Sequence, residues 1–260
     1  MILKLPSLNP TFKLKPLIYL VLHISVILIG IRQLTLGNYN SVFMCLLTLC
    51  LFAIPRLINK QFRILLPNTL EIIILLFIYS AEILGEVNCY YLTVPHWDTV
   101  LHTINGFIMA GIGFALIDIL NRSDKVAISL SPFFVALVAF CFSMTIGVLW
   151  EFFEFGMDQV FKTDMQKDTL IPAITSVLFH PEGLNQAITL PIDSIVINGE
   201  QWDSYIDIGL IDTMKDLIVN FVGAVIFSIF GFLYLNGKSQ FASRFIPRVQ
   251  PETDESKAND

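Results

Sequence analysis

Apolar residues along this chain fall in long blocks separated by short polar stretches, unlike the mixed periodicity of a soluble fold. The first block runs from about Leu17 to Ile31, the second from about Asn40 to Leu57, and the third from about Leu65 to Leu84. The fourth begins at Asp98 and reaches Leu120. The fifth opens at Ser131-Pro132, where proline suits a first helical turn, and reaches Asp158. The sixth spans Asp207 to Leu235. A bilayer core takes roughly 20 apolar residues per helix. The pattern therefore predicts an all-α integral membrane protein with about six transmembrane helices.

The ends of the blocks carry their own signals. Asn68, just past Pro67, is placed to cap the third helix. Lys4, Lys13 and Lys15 give the first block the basic flank of a signal sequence. The segment Arg32-Gln33-Leu34-Thr35-Leu36 lacks small cleavage residues, however, so the block is expected to stay as the first helix.

One long connection, 159–206, separates blocks five and six. In it Ser194-Ile195-Val196-Ile197 and Glu200-Gln201-Trp202 flank Asn198-Gly199, the pair favoured by a type I′ turn, so a small β-hairpin is expected. Upstream, Thr169 to Phe179 reads as a short helix lying in the membrane interface. Residues 1–237 thus form a single polytopic membrane domain, and the polar stretch 238–260 reads as a disordered cytoplasmic tail.

Charge sets the orientation. With the N-terminus inside and six crossings, 12 of the 16 Lys and Arg residues fall in inner segments. Outside lie only Arg32, Lys162, Lys167 and Lys215. Both termini are expected in the cytoplasm, with the long loop outside. Fifteen of the 22 Asp and Glu residues then fall on the outer side, which makes that face anionic.

Composition agrees: 55% of residues are hydrophobic and 15% charged, with a mean hydropathy of +0.69. Soluble domains carry nearer a quarter charged residues. Cys45, Cys50, Cys89 and Cys141 stand alone, without a CxxC pair, which excludes a zinc knuckle or dithiol redox motif. No GxSxG, HExxH, Walker A or GxGxxG context occurs, and the scattered basic residues leave no nucleic-acid footprint.

Candidate chemistry lies at the outer face. Asp98, His102 and Asn105 share one stripe of the fourth helix at i, i+4, i+7 spacing. Glu151, Glu154 and Asp158 do so on the fifth, and Asp212, Asp216 and Asn220 on the sixth. Such groups are costly against lipid, so they are expected to face one another or a wet cavity. That many carboxylates repel unless protonated, paired with Lys215, or bound to a cation. Oxygen ligands with one imidazole suit Mg²⁺, Mn²⁺, Ca²⁺ or Zn²⁺. The candidate metal ligands are Asp98, His102, Glu151, Asp212 and Asp216, with His102 or Glu154 as general acid or base and Asn105 and Asn220 completing a polar cavity. A divalent cation at headgroup depth would polarise a lipid or cell-envelope phosphate.

Plainer accounts compete. Asp158, Asp207 and Glu86 can be solvated helix flanks, and His102 and Asn220 can be hydrogen-bonding glue between helices. Trp97, Trp150 and Trp202 suit interfacial anchoring, and Gly106, Gly113 and Gly223 suit close helix packing. Three functions stay open: a cation-dependent enzyme acting on a lipid or envelope-precursor headgroup, a non-catalytic envelope protein whose outer loop docks a partner, and an ion-coupled transporter.

Asp98-Thr-Val-Leu-His102, Trp150-Glu151-Phe-Phe-Glu154 and Asp212-Thr-Met-Lys-Asp216-Leu-Ile-Val-Asn220-Phe-Val-Gly223 resemble the YjdF-like bacterial membrane-spanning proteins. More loosely they are similar to VanZ-like proteins. The likeness covers roughly residues 65 to 235. It implies a multi-pass protein of the bacterial cytoplasmic membrane, and through the VanZ-like proteins a link to glycopeptide tolerance. It supplies no established catalytic residues. The long loop and the doubled Asp212/Asp216 depart from the simpler VanZ-like D-x-x-x-N order.

Overall fold

The structure, a computed structural model, describes residues 10–62, 64–121 and 130–249. Lys4, Arg63, Arg122, Lys125 and Lys257, which contribute to the orientation, lie outside the described residues, as does the last part of the expected tail, 250–260.

Helix α1 (Pro10–Thr35) leads through a tight turn, with Gly37 at φ +72°, into α2 (Tyr39–Leu51). The Asn38 carboxamide caps α2 by accepting the Ser41 N–H at 3.2 Å. The second block does not continue as one regular helix. It turns at Phe52-Ala53 and resumes as α3 (Ile54–Phe62). Pro55 explains the break, since it lacks an N–H and its ring would crowd the carbonyl four residues back. Strand β1 (Ile64–Leu65) precedes α4 (Asn68–Ile78). Pro67 takes the cap position there and Asn68 is the first helical residue, one place later than the sequence suggested.

From Tyr79 to Val87 the helix widens into π turns. The Ser80 carbonyl accepts the indole N–H of Trp97 at 3.2 Å, so Trp97 bonds to backbone within the bundle. Short α5 (Tyr90–Thr93) then leads into α6 (Trp97–Asn121). Helix α7 (Pro132–Phe161) starts on Ser131, whose hydroxyl accepts the Phe134 N–H at 3.2 Å. Helix α8 (Leu210–Leu235) is the last long one.

Among the described residues five stretches are long and apolar enough to cross a membrane: Lys15–Thr35, Tyr39–Gln61, Trp97–Asp118, Pro132–Phe161 and Leu210–Leu235. The third block of the sequence is helical over Asn68–Val87 but is divided between α and π geometry.

Between α7 and α8 the chain forms short antiparallel ribbons. They are β2 (Leu170–Ile171) with β7 (Tyr205–Ile206), β3 (Ala173–Ser176) with β4 (Ile188–Pro191), and β5 (Ile195–Ile197) with β6 (Glu200–Trp202). The β5–β6 turn has φ +50° at Asn198 and +89° at Gly199, both positive as a type I′ turn demands. The helix expected over Thr169–Phe179 is replaced by β2, β3 and a single 3₁₀ turn, Val177–Phe179. Pro172 interrupts that segment, and the β-branched Ile171, Ile174, Thr175 and Val177 favour extended backbone.

Beyond Lys238 the chain is not disordered over its described part. A 3₁₀ turn at Ala242–Arg244 leads to β8 (Arg248–Val249), which pairs with β1. Phe245 and Ile246 are buried apolar side chains within this polar-looking tail, and exposed Phe241 stacks on Phe230 and Phe245, which supplies the order. The Phe245 ring meets Phe107 edge-on at 5.2 Å, and Ile246 is buried.

The chain divides into two compact units, Met1–Gly147 with Val219–Asp260, and Val148–Ile218. The first has two apolar cores. Tyr19, Val26, Phe52 and Leu75 belong to the core of α1, α2 and α4. Phe114, Ala139, Phe227 and Phe245 belong to the other, built from α6, α7, α8 and the tail. The second unit carries the ribbons.

Candidate functional site

Within the first unit, α6 holds Asp98 and His102 one turn apart. His102 Nε2 lies 3.4 Å from Asp98 Oδ1, with the imidazole 11% and the carboxylate 30% exposed. One turn further along, Asn105 Nδ2 donates to Asn220 Oδ1 on α8 at 3.4 Å. Asn220 is buried and directs its own Nδ2 to the Ser143 carbonyl of α7, a long contact of 3.5 Å. Ser143 in turn donates its hydroxyl to the Gly106 carbonyl at 2.7 Å.

Glycine allows this approach. A β-carbon at Gly106 would stand 2.1 Å from the Asn220 carbonyl oxygen, and one at Gly223 2.0 Å from the Thr103 oxygen. Gly113 similarly abuts Phe142, so all three glycines serve close packing.

In the second unit, α7 turns Glu151 and Glu154 inward, both buried, while Phe152, Phe153 and Phe155 are exposed. Glu154 Oε1 accepts the indole N–H of Trp150 at 2.8 Å. Trp150 is therefore a polar partner of a candidate acid as well as an aromatic surface. On α8, Asp216 is buried one turn before Asn220, on the same stripe.

Three other acids organise the backbone entering and leaving the ribbons. Asp158 accepts the N–H groups of Met165 and Gln166 at 2.7 and 2.9 Å, and the Thr163 hydroxyl at 2.7 Å. Asp212 Oδ2 accepts the Lys167 N–H at 2.7 Å. Asp207 accepts the N–H groups of Thr169, Gly209 and Ile211 at 2.7, 3.3 and 2.8 Å. Asp158 and Asp207 are thus not merely solvated flanks. Burial pushes the Asp207 pKa up, but the three backbone donors and Lys215 outweigh it, and its carboxyl titrates below the ordinary value. Asp168 shifts the other way, raised by burial and by the charges of Asp164, Asp207 and Asp158.

A second polar cluster, in α1, α3 and α4, went unread in the sequence. Glu71 is buried, takes an ion pair from Lys15, and accepts the Tyr19 hydroxyl at 2.7 Å. The Arg56 guanidinium lies over the Tyr19 ring, 5.0 Å from its centroid. The signal was present: Glu71 is the only acid in the first 81 residues and stands inside an apolar block. Lys15 and Tyr19, four apart, share a face of α1.

The family described as "Predicted membrane protein (DUF2238)" matches residues 14–237. Comparisons with curated proteins and with solved structures find no match.

Proposed function

The chain belongs to the DUF2238 family of predicted membrane proteins, and on that premise we propose a six-span protein that binds a divalent cation at its outer face. Both termini lie inside, and the ribbon-bearing loop lies outside. Asp98, His102 and Asp216 are the principal ligands, Glu151 adds charge, and the cation recruits a lipid or envelope phosphate. Asp212, the fifth candidate ligand, also holds the Lys167 N–H on its Oδ2.

The observation that carries this reading is the contact of Asn105 with Asn220. It joins α6 and α8 at one polar residue of each stripe, within the first unit. His102 lies three residues from Asn105 and Asp216 four from Asn220, about 4.5 and 6 Å along their helices. Both steps run toward the outer end in the proposed orientation. The Asp98 carboxylate stands 3.4 Å from His102 Nε2, one turn away on α6, so the two can offer ligands to one cation. Carboxylates that meet at that outer end would be stabilised by a bound cation.

When bound, a divalent cation supplies Lewis-acid polarisation of a phosphate oxygen. The protein's own groups then place the headgroup and hold a proton at the imidazole of His102 or the carboxyl of Glu154.

Manganese titration of the purified chain, followed by electron paramagnetic resonance, tests the proposal. One Mn²⁺ per chain is expected, with binding weakened at least about tenfold by Asp98→Asn, His102→Ala or Asp216→Asn. Stoichiometric binding that survives all three substitutions would overturn it, as would no binding by the folded chain.

A second reading, a docking function for the outer loop, draws on its exposed apolar tips. Leu178 is 88% and Val196 67% exposed. Deleting 195–202 would then abolish function while Asp98→Asn leaves it intact.

A further inference from the structure

We propose that α3 is an interfacial helix whose exposed basic sector, Arg56 and Lys60, binds the headgroups of anionic phospholipids. The case lies wholly in the first unit and is independent of the cation site.

At 100° per residue α3 divides into three sectors. Pro55, Ile58 and Asn59 face the protein: Pro55 is buried, Ile58 and Asn59 are partly so, and Asn59 Oδ1 accepts the Leu66 N–H at 3.1 Å. Arg56 and Lys60, one turn apart, form the second sector and are exposed. Ile54 and Leu57 form the third, and they too are exposed. A helix with cationic and apolar sectors side by side suits the boundary between headgroups and acyl chains. Helix α2 has 13 residues, about 20 Å, so the span Tyr39–Gln61 reaches full length only through α3, whose basic residues then stand at its headgroup end.

Charge selects the partner. The first 81 residues hold seven Lys and Arg and one acid, Glu71. That acid is buried and satisfied by Lys15 and Tyr19, so its charge does not cancel the basic sector. The Tyr19 ring under Arg56 holds the guanidinium in place, and the Lys15–Glu71 pair beside it is net neutral, so Arg56 and Lys60 set the local charge. The complement is a surface of phosphate monoanions, and in a family of membrane proteins the lipid headgroup presents it.

The test is native mass spectrometry of the full chain released from mixed phosphatidylglycerol–phosphatidylcholine nanodiscs. The wild type is expected to retain phosphatidylglycerol preferentially. Each basic residue near an anionic surface contributes roughly a fivefold gain in affinity, so Arg56→Gln/Lys60→Gln should lose about 25-fold. Lys162→Gln/Lys167→Gln, which removes equal charge from the ribbon-bearing unit, should retain the preference. Should the Arg56 change unfold the chain, Lys60→Gln alone gives a fivefold loss, because Lys60 is exposed. Equal retention by wild type and variants overturns the proposal. So does an equal thermal stabilisation by inorganic phosphate in lipid-free detergent, which would mark a site for the free anion.

Discussion

Gly147 stands so close to Asn220 that a β-carbon on it would lie 2.6 Å from the carboxamide nitrogen. With Gly106 and Gly223 it makes α6, α7 and α8 meet around one buried amide. Alanine at Gly106 or Gly223 would strike backbone, which cannot rotate away, whereas at Gly147 it strikes a side chain. Thermal unfolding in detergent should therefore rank Gly106→Ala and Gly223→Ala as most damaging. A cost of about 3 kcal/mol is expected for these and about 1–2 kcal/mol for Gly147→Ala. Gly156 is the control, since nothing lies within 4 Å of its added carbon. Gly156→Ala should be neutral or gain up to about 1 kcal/mol from helix propensity.

Asp207 makes a second, pH-dependent prediction. Its folded pKa lies below the ordinary value of 3.8, so its contribution is complete above that value and is lost as pH falls through the folded one. Hydrogen exchange at neutral pH should show the Thr169, Gly209 and Ile211 amides protected in the wild type. Asp207→Asn, which keeps one acceptor oxygen, should expose them and cost about 1–3 kcal/mol locally. Unchanged protection would show that the ribbons hold that backbone without the carboxylate.

The sequence made the helical blocks and the Asn198-Gly199 hairpin legible because each rests on local information: a run of apolar residues, or a residue pair tolerant of positive φ. The stripes were legible for the same reason, since spacing alone puts Glu151 with Glu154 and Asp216 with Asn220 on one helical face. What spacing cannot supply is the partner. Asp212, Asp158 and Asp207 look like the other acids in sequence, yet each closes on backbone N–H groups a loop away. The Thr169–Phe179 segment went wrong because its apolar content outweighed Pro172 and its β-branched residues. The tail 238–249 went wrong because Phe241, Phe245 and Ile246 were averaged with polar neighbours.

Glu71 offers a cycle of substitutions. Glu71→Leu strands the Lys15 ammonium, and Lys15→Leu strands the buried carboxylate; each should cost about 3–5 kcal/mol. Lys15→Leu/Glu71→Leu removes both charges and should recover most of that loss, with Tyr19 left to find a new acceptor. Thermal unfolding of the four proteins reads the coupling. Simple addition of the two single losses would mean the pair acts only as two separate contacts.

The β5–β6 turn carries a local prediction. At φ +89° Gly199 occupies backbone that a β-carbon disfavours, so Gly199→Ala should cost about 1–2 kcal/mol. The loss should be confined to amide exchange in β5 and β6, with the long helices unaffected.

The ion pair between Lys15 and Glu71 joins groups 56 residues apart in the chain. A ribosome adding roughly 5–20 residues per second makes the acid some seconds after its partner. During that interval the first helical hairpin carries an unneutralised ammonium, and the next hydrophobic segment then brings an acid that lipid alone would reject. Each group is therefore neutralised only once α1 and α4 have met, so neither helix settles in lipid at full stability without the other.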